Sequence, residues 1–255
     1  MKAYLLFNEI KSSIILFITF EILIFSLLVV GFIIFPININ ISNEYIKNIL
    51  FITSDLNNPN EYYAFIMEYI IILSAIFATI LATKTIVHDK ISGYDEYLFS
   101  LPTTRSKIFF NKVIAIAFET ILFNLIFYIL SFVLNIVFDF NINKILLFKM
   151  NLSLTLSTLT FASIGILVGS FIKPKFIYIK SLSFTILLLL IAIPERLFNI
   201  TILRYINPFS YFKLYELISS GYKLSFIIAS GCIMIFSLSI SKTIYDEYDV
   251  LKGNY

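Results

Sequence analysis

SIILFITFEILIFSLLVVGFIIF, residues 13–35, decides the class of this fold. The run holds one charged residue, Glu21. At 1.5 Å per residue, a helix of about this length spans the roughly 30 Å of hydrocarbon in a bilayer. A secretory signal also begins with basic residues, as Lys2 and Lys11 do here. Its apolar core, however, is only about 7 to 15 residues long and ends at a small-x-small cleavage site. The stretch meets neither condition and reads as a retained first span.

Five further apolar runs follow, over residues 63–83, 113–138, 150–172, 176–194 and 224–241. Lys180 interrupts the fifth near one end, where a lysine can extend its ammonium to the headgroups. The chain is 59% hydrophobic and 14% charged. Soluble domains run near about 45 to 50% apolar and about 25% charged, so a single water-soluble core cannot hide this much apolar surface. Backbone groups must pair inside lipid, and the runs do not alternate as barrel strands do. The expected fold is all-α, a polytopic membrane protein of about six transmembrane helices in one domain, residues 1–255. A soluble enzyme and a nucleic-acid-binding domain are excluded, because the small net charge of +3 belongs to membrane edges and not to a basic face. Cys232, the one cysteine, falls inside an apolar run and reads as a packing residue in lipid.

With the N-terminus inside, twelve Lys and Arg fall on the inner side and seven on the outer, so both termini are expected in the cytoplasm. The outer segment 36–62 is rich in asparagine and reads as a polar loop. The outer segment 195–223 mixes apolar and charged residues around Asn207 and Pro208. It reads either as a re-entrant helical hairpin dipping into the outer leaflet or as an ordinary surface helix.

The inner segment 84–112 is the most informative. Tyr94, Tyr97, Leu98 and Leu101 recur at i, i+3, i+4 and i+7, one apolar stripe on a two-turn helix. Ser92 and Asp95 fit a capping box at its start, and Pro102 stops it. A second amphipathic stretch lies in residues 1–12, where Ala3, Leu6, Phe7 and Ile10 oppose Lys2, Asn8 and Glu9. By physical chemistry alone both could simply lie on the headgroups.

Asp89 at the end of the second span, Gly93, a short helix ending in Ser100-Leu101-Pro102, then Arg105 and Lys112, resemble the permease subunits of ABC-2 type transporters. The specific match covers about 25 residues, and the six spans extend it loosely over the chain. Asp89 stands where the family often has glutamate, and Tyr94 where it has threonine or tryptophan. The resemblance implies that 84–112 is a coupling loop docking on a separate ATPase, with Asp89, Gly93, Glu96, Leu98, Leu101, Pro102 and Arg105 as the coupling set. It also implies that 1–12 is the amphipathic connecting helix, with Leu6, Phe7 and Glu9 as a second ATPase contact. The implied partners are two copies of a cytosolic ABC ATPase, a second permease copy (identical or a close paralogue) and the lipid membrane, with no nucleic acid. The chain lacks a G-x-x-x-x-G-K-[ST] phosphate loop, so it is expected to be no enzyme and to carry no cofactor, ATP and Mg²⁺ belonging to the ATPase. Similar chains export amphipathic peptides such as bacteriocins, lantibiotics and phenol-soluble modulins from Gram-positive bacteria. Richness in Ile, Asn, Lys and Phe fits an AT-rich bacterial genome, and the expected location is the bacterial plasma membrane.

Intramembrane acids cost on the order of 2 to 3 kcal/mol even on mild insertion scales and so call for an explanation. Glu21 lies about 12 Å into the first span and Glu119 about 9 Å into the third, a possible pair around one cavity, with Asn124 on the same face as Glu119. These three are the translocation-pathway candidates, and helix packing is the alternative role. Glu68, nearer the outer face, reads as reaching water. The fourth span, rich in Ser and Thr and closing with Gly165 and Gly169, reads as a helix-packing surface. The single histidine, His88, supports no metal site or Ser-His triad. Two other functions stay open: a non-transporting sensor or scaffold, and an intramembrane enzyme using Glu21 and Glu119.

Overall fold

Hydrocarbon offers the backbone no partners, so an apolar chain closes its hydrogen bonds within helices. The computed structural model describes residues 2–34, 58–92, 104–171, 177–198 and 200–247, and these are helical with short turns. In chain order the helices are α1 (Lys2–Ile34), α2 (Pro59–Ser92), α3 (Arg105–Val137), α4 (Lys144–Phe171), α5 (Ile177–Phe198), α6 (Thr201–Ile206), a 3₁₀ turn (Pro208–Ser210), α7 (Leu214–Ser220) and α8 (Leu224–Asp246). Six of them, α1 to α5 and α8, are long and apolar enough to cross a membrane. The chain is a multi-pass integral membrane protein. An even number of crossings brings the chain back to its starting side, so the start of α1 and the end of α8 share one face, the terminal face.

The bundle is apolar outside, and its interior mixes large apolar side chains with small hydroxyl-bearing ones. Ile15, Ile22, Phe118, Leu125, Leu190 and Ile235 point outward, whereas Ser74, Thr79, Thr83, Ser153, Ser157 and Thr160 are buried. Lipid tails are as apolar as leucine, so helices associate through close packing and interhelical hydroxyls, not through hydrophobic burial.

α2 and α4 form the centre and pack most extensively on one another. A Cβ on Gly165 would stand 2.8 Å from the Thr79 carbonyl oxygen, and one on Gly169 3.2 Å from the Thr83 Cα. Glycine is what lets these backbones touch, and the Thr83 hydroxyl reaches the Gly165 carbonyl at 3.1 Å. α1 and α3 run parallel with a fixed offset: Ser13 meets Glu119, Phe17 meets Phe123 and Phe32 meets Phe138, each pair 106 residues apart. α1 and α2 run antiparallel. The Tyr62 hydroxyl donates to the Gly31 carbonyl at 2.9 Å near one end, and the Lys84 ammonium to the Ser12 carbonyl at 2.6 Å near the other.

Several helices exceed their apolar runs. α1 continues unbroken from Lys2 through the span, α3 begins at Arg105 and α4 at Lys144. Ser92, read as a cap, is the last residue of α2. Pro194 does not end the fifth span, since α5 runs on to Phe198. The extra turn is held from outside the helix, by Lys213 and Ser210 on Glu195 and by Glu68 on Arg196. Cys232 is exposed on the outer surface of α8.

Beyond α5 the chain turns back. The buried Asn207 donates to the Leu188 carbonyl at 2.9 Å, and the Phe209 ring lies 4.4 Å from that of Phe161. Leu188 precedes the end of α5 by ten residues, about 15 Å of helix. Residues 200–223 therefore fold back along α4 and α5.

Candidate functional site

The third span carries polar residues at 112, 119, 120, 124, 131 and 135, spacings that place them on one face of α3, and all are buried. At the terminal end this stripe meets α1 and α2. The Lys112 ammonium, 2% exposed, lies 2.7 Å from Glu9 Oε1 and donates to the Thr85 carbonyl at 2.7 Å. One lysine thus ties α3 to α1 and α2. Two further bonds repeat the connection: Lys84 of α2 to the Ser12 carbonyl, and the Ser13 hydroxyl to Glu119 Oε2 at 2.6 Å. Lys84 and Glu119 are close enough for their charges to interact.

α3 is also fastened to the end of α8. Arg105 donates to the Asp246 carbonyl at 3.0 Å, and the Ser106 hydroxyl lies 3.1 and 3.0 Å from the two Asp246 carboxylate oxygens. One turn on, the Phe109 ring stands 5.5 Å from Tyr245. Together these contacts form a polar clamp at the two places where the chain leaves α2 and enters α3.

Of the coupling set, Arg105 belongs to this clamp. Gly93, Glu96, Leu98, Leu101 and Pro102 lie outside the described residues, and of Asp89, Leu6 and Phe7 only the helical backbone is described. Glu9 is the ion-pair partner of Lys112.

The three pathway candidates do not form one group. Glu119 sits in the clamp, bonded to Ser13. Asn124 donates to Thr158 Oγ1 of α4 at 2.7 Å and joins two helices. Glu21 stands eight residues beyond Ser13, so the α1–α3 offset sets it opposite Phe127, about 12 Å along the bundle from Glu119. The two acids therefore stand at different levels of the bundle, eight residues apart in register. Counting depth from residues 13 and 113 misplaces them, because Ser13 lies level with Glu119 and not with Val113, a shift of six residues or about 9 Å. Glu68 does not reach water either; it pairs with Arg196 at 2.9 Å, their side chains 12% and 8% exposed.

The clamp was not read from the sequence, where Lys84 and Lys112 read as edge charges and Glu9 as a second ATPase contact. The signal available was the spacing of 112, 119 and 124, a polar stripe continuing past the end of the apolar run.

On the opposite face, Arg204 and Lys223 both pair with Glu216, Arg204 at 2.8 Å and also over the Phe226 ring at 4.3 Å. Burial alone would raise the Glu216 carboxyl, but hydrogen bonds and charge from Arg204 and Lys223 outweigh it and hold the group down at about 2. Burial pushes the Tyr211 phenol up to about 12. Among the described residues, no group of three or more His, Cys, Asp or Glu could hold a metal ion. No protein-family model and no curated protein matches this chain.

Proposed function

We propose that this chain is the permease subunit of an ATP-driven exporter of the ABC-2 type, moving a hydrophobic or amphipathic substrate, a peptide by preference, out of the cell by alternating access. The observation that carries the reading is the clamp. Residues 93–103 join two spans whose ends are bolted to α1 by Lys112–Glu9, Lys84–Ser12 and Ser13–Glu119, and to α8 by Arg105–Asp246. A load applied to that segment is passed to four membrane helices at once, as a subunit driven from outside requires. ATP hydrolysis then belongs to a separate cytosolic subunit docked on Leu98, Leu101 and their neighbours. A second permease copy completes the path, and the positive-inside bias supports placing the terminal face in the cytoplasm.

The test is purification of the full chain from its native membrane followed by an ATPase assay. Wild-type chain is expected to bring down ATPase activity, and the Leu98→Asp/Leu101→Asp double variant to insert normally and lose it. Equal ATPase recovery with both would remove the basis for the coupling assignment and favour a scaffold or an intramembrane enzyme.

A further inference from the structure

Three rings fix where α1, α2 and α3 meet: Phe17 lies 6.1 Å from Phe77 and 5.7 Å from Phe123, and Phe77 stacks on Phe123 at 4.1 Å. Side chains three or four residues apart share a helix face. One turn farther from the terminal face, α1 therefore presents Glu21, α2, running the other way, presents Ser74, and α3 presents Phe127. The turn after that is closed by Ile24, Leu28, Met67 and Ile70, all fully buried. A polar layer one turn thick is thus set between an aromatic and an aliphatic layer.

Its polar atoms have no partners. Both Glu21 carboxylate oxygens and the Ser74 hydroxyl are buried without a hydrogen bond, and Ser74 is 0% exposed. A helical hydroxyl ordinarily bonds back to the carbonyl four residues earlier. Thr79, Thr83 and Thr85 of the same helix do so, and Ser74 does not. Among the described residues, no nearby cation serves Glu21. Lys84 and Lys112 are engaged at the terminal face by Ser12, Glu9 and Thr85, and Arg196 by Glu68. A cationic group with several N–H donors would satisfy all three atoms at once. Glu21 is half-buried, and both of its oxygens are covered.

We infer that Glu21 and Ser74 form a binding site for an ammonium group, either the free ion or the head of a longer molecule. An ammonium offers three N–H donors, and an acceptor-only carboxylate beside a hydroxyl oxygen complements them. Such charge-assisted bonds are among the strong ones, and more so away from water. The inference rests on the exporter reading for a cargo-borne amine, and not for the binding itself.

The test is calorimetric titration of the full chain in lipid nanodiscs with octylammonium, ammonium chloride and, as the uncharged control, octanol. Octylammonium is expected to saturate at one per chain and octanol not to saturate. Glu21→Gln and Ser74→Ala should each weaken octylammonium at least about tenfold, the size of one lost hydrogen bond to a charged group. Competition by ammonium chloride assigns a free-ion site, and its absence a site for the head of a longer molecule. Octylammonium binding to either folded variant as tightly as to wild type overturns the proposal. Ser74→Ala removes only a hydroxyl without a partner, so it carries the test should Glu21→Gln fail to fold. ATPase recovery with Leu98→Asp/Leu101→Asp is read separately, so the two readings fail separately.

Discussion

Lys112 and Glu9 meet 2.7 Å apart inside the terminal end of the bundle, with only 2% and 13% of their side chains exposed. Removing one partner of a buried pair leaves the other charge uncompensated, at a cost of about 3 to 5 kcal/mol, whereas replacing both by apolar groups is often neutral. Lys112→Met alone is therefore expected to lower thermal stability in detergent sharply. Glu9→Leu combined with Lys112→Met should recover most of the loss. If the pair is the strut proposed here, the stable double variant still binds its ATPase but couples hydrolysis poorly to transport.

Two glycines separate close packing from simple backbone freedom. A methyl on Gly165 meets the Thr79 carbonyl at 2.8 Å and the Thr79 Cα at 2.9 Å, backbone atoms that cannot swing aside. Gly165→Ala should destabilise by about 1 to 3 kcal/mol, the usual range for overpacking. Gly231 lies within α8 and a methyl there meets nothing within 4 Å. Gly231→Ala should leave stability unchanged or raise it by up to about 1 kcal/mol. Unfolding midpoints of the two variants measured side by side decide the matter, and equal shifts would contradict the packing described.

The six spans were legible in the sequence because each is a continuous apolar run and lipid permits little besides a helix there. Their ends were not, since hydropathy is blind to a charge that finds a partner: Arg105 read as part of the coupling loop and Lys112 as an edge charge, yet both sit within α3, where Asp246, Thr85 and Glu9 satisfy them. Pro194 is the converse case. Its local signal to stop a helix is correct in isolation and is overridden by contacts that Glu195 and Arg196 make with residues 15 or more positions away. The role of Gly165 and Gly169 could be anticipated from spacing alone, whereas the offset between α1 and α3, on which the separation of Glu21 and Glu119 depends, is a tertiary quantity with no local signature.

The distal ion pairs carry a pH dependence of known sign. Glu216 is held at about 2 in the folded chain against an ordinary 4.5, so its interaction with Arg204 and Lys223 stabilises the fold fully above pH 4.5. That contribution declines as pH falls through the interval and is gone below about 2. Tm measured from pH 7 downward should begin to fall near the upper limit. Glu216→Gln should lower Tm at pH 7 and flatten the acid limb, while an acid limb of undiminished slope in that variant would assign the effect to other carboxylates.

The parallel offset of α1 on α3 makes a prediction about reach that needs no functional assay. Cys232 is the only cysteine, so Cys232→Ser gives a background in which any thiol cross-link is the one engineered. Ser13→Cys with Glu119→Cys places thiols where the native side chains touch at 2.6 Å, and a short bifunctional thiol reagent should join them within the chain. Glu21→Cys with Glu119→Cys places them roughly 12 Å apart along the axis, eight residues at 1.5 Å each, beyond that reagent. Proteolysis between the spans followed by electrophoresis reads the result. Efficient joining of the second pair would mean that the two acids do face one cavity, and would return Glu119 from the clamp to the substrate path.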